Sequence, residues 1–386
     1  MKDEKGNGMD ELIRSVVKKQ EGAGNGTKEA LPQRKHAKDA DLQELLKKKK
    51  ASVFIVGCGG AGNNTLSRLM QVGIDGAKVI AINTDAQDLL YTDADEKILI
   101  GKEITEGLGA GANPKVGEAA AKESKDEIKQ VLQGGDLIFI TCGLGGGTGT
   151  GSAPVVAEVA RKENALTVGI VTLPFHMEGS HRMSNARMGL EKMEELVDTL
   201  IVIPNEKLIE IVPDVSINTA FKVADEILVN AVKGITELIT KPGLINLDFA
   251  DVKAIMGNGG VAMVGMGESD TENRGYEAVH KALTNPLLDM DIEGATGALI
   301  NVTGGMDLTL KEAKEIVTSV TTQLAPDAKV IWGAMIQREL GDMIRVLLIV
   351  TGVKNYTVGL PPETGTHAAA PELKDGIEKD LGIEFI

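Results

Sequence analysis

Residues 143–151 read Gly-Leu-Gly-Gly-Gly-Thr-Gly-Thr-Gly, six glycines in nine positions. No ordinary turn needs so many residues without a Cβ. The stretch lies between an apolar run at 136–141 and a helix-like segment at 152–162. Glycines there expose successive backbone N–H groups, the following helix adds a positive field, and Thr148 and Thr150 supply hydroxyls. Together these suit a di- or triphosphate. A second segment, Gly57-Cys58-Gly59-Gly60-Ala61-Gly62, follows an apolar run at 52–57 and fits G-x-G-x-x-G. Alone it fits a dinucleotide site, a mononucleotide site or a tight structural turn. A dinucleotide site calls for an acid about 20 residues further on, closing the second strand. Here Asp85 stands 28 positions after Gly57, with Asn83 before it, and the fit is poor. A third segment, Gly109-Ala110-Gly111-Ala112-Asn113-Pro114, ends in Pro at a helix start, placed to close over an outer phosphate. No G-x-x-x-x-G-K-[ST] motif occurs, so phosphate charge must be met by backbone dipoles and a metal ion.

The surroundings of these segments set the fold class. Short apolar runs without alternation at 52–57, 78–83, 136–141, 166–173 and 199–203 read as strands buried on both faces. Helical sequence separates them at 61–72, 114–133, 152–162 and 181–197. Such alternation predicts an α/β fold with a parallel sheet, whose ligands bind at the carboxyl ends of the strands. A long amphipathic pattern at 217–240 then stops at Lys241-Pro242-Gly243. Beyond it, helices at 249–256, 273–283 and 310–324 and strands at 260–267, 297–302, 330–333 and 345–351 read as a smaller α+β unit. The expected organisation is therefore a flexible extension at 1–50, a ligand-binding domain at 51–216, a central helix at 217–241, an α+β domain at 242–358 and a flexible tail at 359–386.

Charge excludes several roles. Lys plus Arg total 41 against 56 Asp plus Glu, a net charge of −15, and a general nucleic-acid binder needs the opposite sign. Aromatic residues are 3% of the chain, too few for base-stacking platforms. Residues 1–50 run the other way, with 13 Lys/Arg against 9 Asp/Glu, and two short helical patterns there read as solvated or as a docking element for acidic lipid or a partner. Cys58 and Cys142 have no metal-ligand spacing and read as small buried residues. The start of the chain has no apolar signal core, and apolar runs such as 346–350 are too short to span a bilayer. The expectation is a soluble, cytoplasmic protein.

Three side-chain pairs stand out. Glu178 and Arg182, at i and i+4, are an ordinary surface ion pair by spacing alone. Phe221 and Asp225 lie four apart on one face of the long helix. Asp248 and Asp251, at i and i+3, suit a helix cap with a dipole-favoured acid, or two carboxylates on one face. A 24-residue helix spans about 36 Å, so this acid pair is not easily brought to the glycine loops of the same molecule.

Taken together, Gly145 to Gly151 and the motifs around them resemble the tubulin/FtsZ family in its bacterial and archaeal form, over about residues 51–358. The resemblance implies a GTP-binding α/β domain, a central helix, a C-terminal α+β domain, and bound GTP or GDP with Mg²⁺ held through the phosphates and water. It implies that Gly59, Gly60, Ala61, Gly62, Asn63 and Asn64 contact phosphate and guanine. Asn83 helps hold the base or the following loop, and Ala110, Gly111 and Asn113 sense the γ-phosphate. Gly145, Gly146, Gly147, Thr148, Gly149 and Thr150 form the main diphosphate cradle. Glu178 and Arg182 take the ribose, Phe221 stacks on guanine, and Asp225 accepts from its N1 and exocyclic amine. Asn246, Asp248 and Asp251 would complete the site of the next subunit in a head-to-tail filament, the acids orienting the attacking water. The expected outcome is a filament-forming GTPase of the septal ring beneath the membrane at the division site, with itself as principal partner. The end, Gly382-Ile383-Glu384-Phe385-Ile386, resembles the short peptide that archaeal members offer to a membrane-anchor protein of SepF type. A non-hydrolysing GTP-bound scaffold and a Rossmann-type oxidoreductase are the alternatives. The first should have lost Asp248 or Asp251, and the second leaves residues 143–151 unexplained.

Overall fold

Apolar runs without alternation become central parallel strands because each buries both faces. In the computed structural model, β1 (Val53–Cys58) places Ile55 against one helical layer and Val56 against the other, both fully buried. Residues 51–211, 216–241, 243–245, 247–285, 287, 292 and 294–353 are described. The chain divides into Met1–Lys50 and Ala51–Ile386, and the described residues all belong to the second unit. The helical patterns expected within 1–50, the tail peptide at 382–386, Pro242 and Asn246 lie outside the described residues.

After β1 come α1 (Gly59–Val72), β2 (Ala77–Asn83), α2 (Ala86–Tyr91), β3 (Glu96–Leu99) and the short α3 (Lys102–Thr105). Then follow α4 (Pro114–Glu123), α5 (Lys125–Leu132), β4 (Leu137–Gly143), α6 (Thr148–Lys162) and β5 (Leu166–Leu173). Next are α7 (Ser180–Leu196), β6 (Thr199–Pro204), α8 (Asn205–Ile211) and the central α9 (Ile217–Thr240). The rest comprises α10 (Phe249–Met256), β7 (Gly260–Ser269), α11 (Arg274–Leu283), β8 (Gly297–Gly304), α12 (Leu310–Thr321), β9 (Lys329–Ile336) and β10 (Ile344–Thr351).

The strand order is β3-β2-β1-β4-β5-β6-β7-β10-β8-β9. The first six strands are mutually parallel, the five expected ones and β3 at the edge. Strand order reverses at β1, so the β1–β4 crevice is the topological switch point, where α/β sheets bind ligands. Cys58 is paired with Cys142 there, so the first two glycine-rich segments leave the sheet side by side. The expected α+β unit is not a separate sheet: β7 joins β6 in parallel over Thr199–Ile201, and β10 then pairs antiparallel with β7 and β8.

Central helix α9 is capped by Ser216, whose Oγ accepts from Thr219 N at 3.2 Å. Its stripe of Ala224, Ile227, Leu228, Ala231, Ile235 and Leu238 is buried in the core that also takes Leu66 and Leu69 of α1. The helix expected over 114–133 is instead two helices, broken at Ser124 (φ −96°, ψ 18°). Backbone bonding runs on through the break, Ser124 N to Ala120 O (3.3 Å) and Ile128 N to Ser124 O (3.1 Å), while the Ser124 hydroxyl accepts from Gly101 N at 3.2 Å. Strand β3 and helices α2, α3 and α8 were not expected; each has seven residues or fewer, too short for a periodic signal.

The C-terminal part is tied together by Arg274, only 9% exposed. Its guanidinium donates to Glu312 Oε1 (2.8 Å) and Asp342 O (2.6 Å), and pairs with Asp307 Oδ2 (2.6 Å). Burial pushes the Glu312 carboxyl up, but hydrogen bonds from Arg274 and Thr309 outweigh it and hold it at about 2. A depressed carboxylate contributes stability present above its ordinary value of 4.5 and lost as pH falls toward about 2. Arg274→Met, which strands a partly buried carboxylate, is expected to cost about 3 kcal/mol. A lower denaturant midpoint at unchanged slope would show this, and an unchanged midpoint would contradict it.

Candidate functional site

At the carboxyl ends of β1, β4, β5 and β6 lies an open cleft of about 480 Å³, within the range of a single small ligand. Both glycine-rich segments contribute to its floor, and both are more helical than expected. Helix α1 begins at Gly59 and α6 at Thr148, so Gly60, Ala61, Gly149 and Thr150 belong to first turns whose N–H groups have no intrahelical partner. Two helix N-termini therefore converge on one crevice, which favours an anion there. Gly59 has φ +71°, and a Cβ on it would stand 2.7 Å from Gly149 N, so glycine is required where the two segments touch. Gly146 faces open space, leaving room for a ligand to approach the backbone.

Twelve of the expected residues line this cleft: Gly59, Gly60, Ala61, Asn64, Gly146, Gly147, Thr148, Gly149, Glu178, Arg182, Phe221 and Asp225. The other expected residues stand behind or beside it. Gly62 lets α1 lie on the sheet, since a Cβ would stand 2.5 Å from Thr141 O. Asn63 is 1% exposed, and neither polar atom of its side chain has a hydrogen-bond partner. Asn83 is buried and donates to Asp88 Oδ2 (2.6 Å) while accepting from Thr84 N (2.9 Å), so it shapes the loop after β2. Ala110 and Asn113 pack on residues 143–151: a Cβ on Gly147 would meet Asn113 N at 2.8 Å and Ala110 Cβ at 2.9 Å. Asn113 also caps α4, accepting from Lys115 N, while Gly111 is exposed with φ +57°. Gly145 (φ +105°) donates its N–H to Thr150 Oγ1 at 2.9 Å, fixing the turn from within.

The far wall comes from α7 and α9. Arg182 donates to Glu178 Oε2 at 2.6 Å, the i, i+4 pair expected from spacing, and Glu178 Oε1 also accepts from Phe175 N at 2.9 Å. Phe221 is 41% exposed at the cleft and meets the edge of Phe175 at a centroid distance of 5.4 Å. Asp225, one turn on, accepts from Thr65 Oγ1 at 3.0 Å. Burial pushes its carboxyl up to about 6, only partly offset by Thr65 and by the charge of Arg68. Thr65 and Asn205 were missed from sequence, while Phe175 lies in the segment 174–182 that resembles the family's ribose loop. Asn205 lines the cleft, is 5% exposed, and its Oδ1 has no partner. It directly follows β6, so the strand-end rule was signal enough to find it.

Asp248 and Asp251 are not in the cleft wall. Asp248 caps α10, accepting from Asp251 N at 2.8 Å, while Asp251 Oδ2 accepts from Asp248 N at 3.1 Å. This capping box is the conservative reading of their spacing. Asp85 caps α2 by accepting from Gln87 N and Asp88 N, so the carboxylate a dinucleotide site would turn to a ribose is engaged locally. Cys58 and Cys142 are buried, as expected. Among the described residues no group of three or more His, Cys, Asp or Glu is arranged to hold a metal, and no helix is long and apolar enough to cross a membrane.

A switch-point crevice with converging helix N-termini, an edge-supported phenyl ring and a nearby carboxylate defines a nucleotide-binding α/β protein. Residues 52–213 match the GTPase domain of the Tubulin/FtsZ family, and residues 260–354 match the C-terminal domain of the FtsZ family. Cell division protein FtsZ 1 of Methanocaldococcus jannaschii is 64% identical over 317 residues, covering 82% of this chain and 87% of that protein. The protein of the same name from Thermococcus kodakarensis is 62% identical, covering 83% and 86%. Among solved structures, an empty FtsZ dimer of M. jannaschii superposes with a TM-score of 0.79 at 63% identity, over 83% of this chain and 93% of that one. A GDP-bound CetZ1 monomer from Haloferax volcanii gives 0.69 at 25% identity, over 79% and 95%. The chain belongs to the tubulin/FtsZ family and is a GTPase of its FtsZ branch.

Proposed function

We propose that the chain binds GTP in the β1–β4 crevice, assembles head-to-tail, and hydrolyses GTP only where one subunit's Asp248 and Asp251 meet the next subunit's cleft. The observation that carries this reading is the separation of the two sites. Phe221 and Asp225 lie in the N-terminal third of α9, and the acid pair follows its other end, beyond a further 15 to 19 residues of helix, roughly 22–28 Å at 1.5 Å per residue. One subunit holds the nucleotide and the next supplies the carboxylates. Such an interface is heterologous and does not close on itself, so it propagates as a filament.

Each part of the cleft has a matching task. The helix N-termini and glycine N–H groups meet the α- and β-phosphates, and residues 109–113 close over the γ-phosphate. Phe221 stacks on the base. Asp225 accepts from N1–H and the exocyclic amine, a pattern adenine does not offer. Asn205, with its unpaired carbonyl oxygen, is a further polar partner for the nucleoside. Mg²⁺ fits through the phosphates and water, and when bound it supplies charge neutralisation. At the junction Asp248, Asp251 and Asn246 orient water in line with the γ-phosphate, and the acids polarise it. The reading places the protein in the cytoplasm at the division site, with its terminal peptide docking a SepF-type membrane anchor. A weak peptide repeated along a filament gains by avidity. The presence of both acids favours turnover over an inert scaffold.

Turnover measured against protein concentration with Mg²⁺ tests the reading. GTP hydrolysis per subunit is expected to rise steeply above a threshold at which light scattering also rises. Specific activity constant from the lowest concentration would mean a self-contained site.

A further inference from the structure

Residues 105–113 touch the diphosphate segment but belong to no long element, and their backbone is unusual. Glu106 (φ 51°) and Ala112 (φ 56°) hold left-handed conformations despite their side chains. Such conformations cost on the order of 1 kcal/mol each and persist only where the surroundings impose them. Two buried residues outside the cleft wall hold this one, Thr84 through its backbone carbonyl and its hydroxyl, and Asn185 through its side-chain amide. At the near end, Thr84 O accepts from Gly109 N (3.2 Å) and Thr105 Oγ1 (3.3 Å), while the Thr84 hydroxyl meets that of Thr148 at 2.6 Å. At the far end, Asn185 donates from Nδ2 to Ala112 O (3.2 Å) and Gly145 O (3.3 Å), with His181 Nδ1 at 3.5 Å. Asn185 is 5% exposed and lies one turn after Arg182 on α7. Each clasp therefore joins the outer-phosphate segment to the diphosphate segment.

We infer that Asn185 is a positioning residue for recognition of the terminal phosphate. It holds Ala112 in its left-handed conformation against Gly145, so residues 109–113 stand ready over the γ-phosphate before it arrives. This rests on the nucleotide reading above and deepens it. The GDP contacts come from the helix N-termini, Glu178, Arg182, Phe221 and Asp225; Asn185 touches this set only at Gly145 O, in a turn that the Gly145 N–H to Thr150 Oγ1 bond already fixes. Losing it adds the cost of ordering the loop to GTP binding alone.

The test is equilibrium titration of GDP and of a non-hydrolysable GTP analogue, below the assembly threshold, on wild type, Asn185→Ala and Asn185→Asp. Asn185→Asp keeps the shape and replaces the donor with a carboxylate facing two carbonyl oxygens. Both variants are expected to weaken the triphosphate about tenfold, the scale of one lost hydrogen-bonded contact, and GDP by less than twofold. Equal weakening of both nucleotides, or an Asn185→Asp variant that behaves as wild type, would overturn the inference by reducing Asn185 to a packing role. If either variant fails to fold, Thr84→Val removes the hydroxyl clasp at the other end with little change of shape. A smaller but still triphosphate-selective loss is expected from it, and an equal loss again overturns the inference. Wild type that binds neither nucleotide would sink the nucleotide reading itself, a result distinct from loss of selectivity.

Discussion

Asp251→Ala is expected to lower GTP turnover at least ~100-fold while leaving GTP and GDP affinity within about twofold. Asp251 is absent from the wall of the nucleotide cleft, so its removal takes nothing from the subunit's own bound nucleotide. On the proposed mechanism it takes away the carboxylate that would align water at the junction with the neighbour. The substitution also breaks half of the capping box on α10, the Asp248 N to Asp251 Oδ2 bond of 3.1 Å, at a cost of about 1 kcal/mol. Asp251→Asn separates the two effects. An amide oxygen can still accept from Asp248 N, so stability should recover, whereas the lost charge should keep turnover low. Near-normal turnover in both variants, with assembly intact, would leave the pair as a helix cap and nothing more.

Asp225→Asn is expected to weaken GTP at least ~100-fold and to improve xanthosine triphosphate relative to it. A carboxylate accepts from both guanine N1–H and the exocyclic amine, whereas a carboxamide presents one acceptor and one donor. Sites built on buried hydrogen bonds discriminate strongly because a mismatch leaves polar groups unpaired. The same residue sets a pH dependence. With the carboxyl raised to about 6 by burial, the free protein progressively takes up a proton there as pH falls through that value, and the acceptor pair is lost. GTP affinity of the wild type should therefore fall on acidification through pH 6, and that of Asp225→Asn should be nearly flat over the same range. Titrations with the two triphosphates at pH 5.5 and 7.5 check both statements. A variant that keeps wild-type preference for GTP would remove Asp225 from base recognition.

The sheet and its ligand end were legible because their signals are local. Unbroken apolar runs mark strands buried on both faces, and glycine excess between a strand and a helix has few structural explanations. What escaped depends on partners distant in sequence. Thr65 matters because Asp225, 160 positions away, uses its hydroxyl, and Asn185 because its amide reaches Ala112, 73 positions away. At Ser124, where one expected helix becomes two, the hydroxyl accepts from Gly101 N, 23 positions away, a contact that no helical periodicity reports. The β6–β7 junction, three residues long, runs the strands of the expected α/β and α+β units into one sheet, a pairing that no local pattern reports. The acid pair Asp248 and Asp251 is the opposite case. Its spacing was plain, and within one subunit the structure places it in a capping box, so its proposed catalytic task is a property of the interface between subunits.

That interface claim is tested most directly by a single-turnover mixing experiment. Labelled GTP is loaded on Asp251→Ala, freed of excess nucleotide, and mixed with wild type in a large excess of unlabelled GTP. Release of labelled phosphate on mixing, far faster than from the variant alone, is the result predicted, because wild-type neighbours supply the missing carboxylate to the variant's own cleft. Label that stays as GTP in co-assembled filaments would mean that each subunit hydrolyses with its own Asp251, and would contradict a site shared between neighbours.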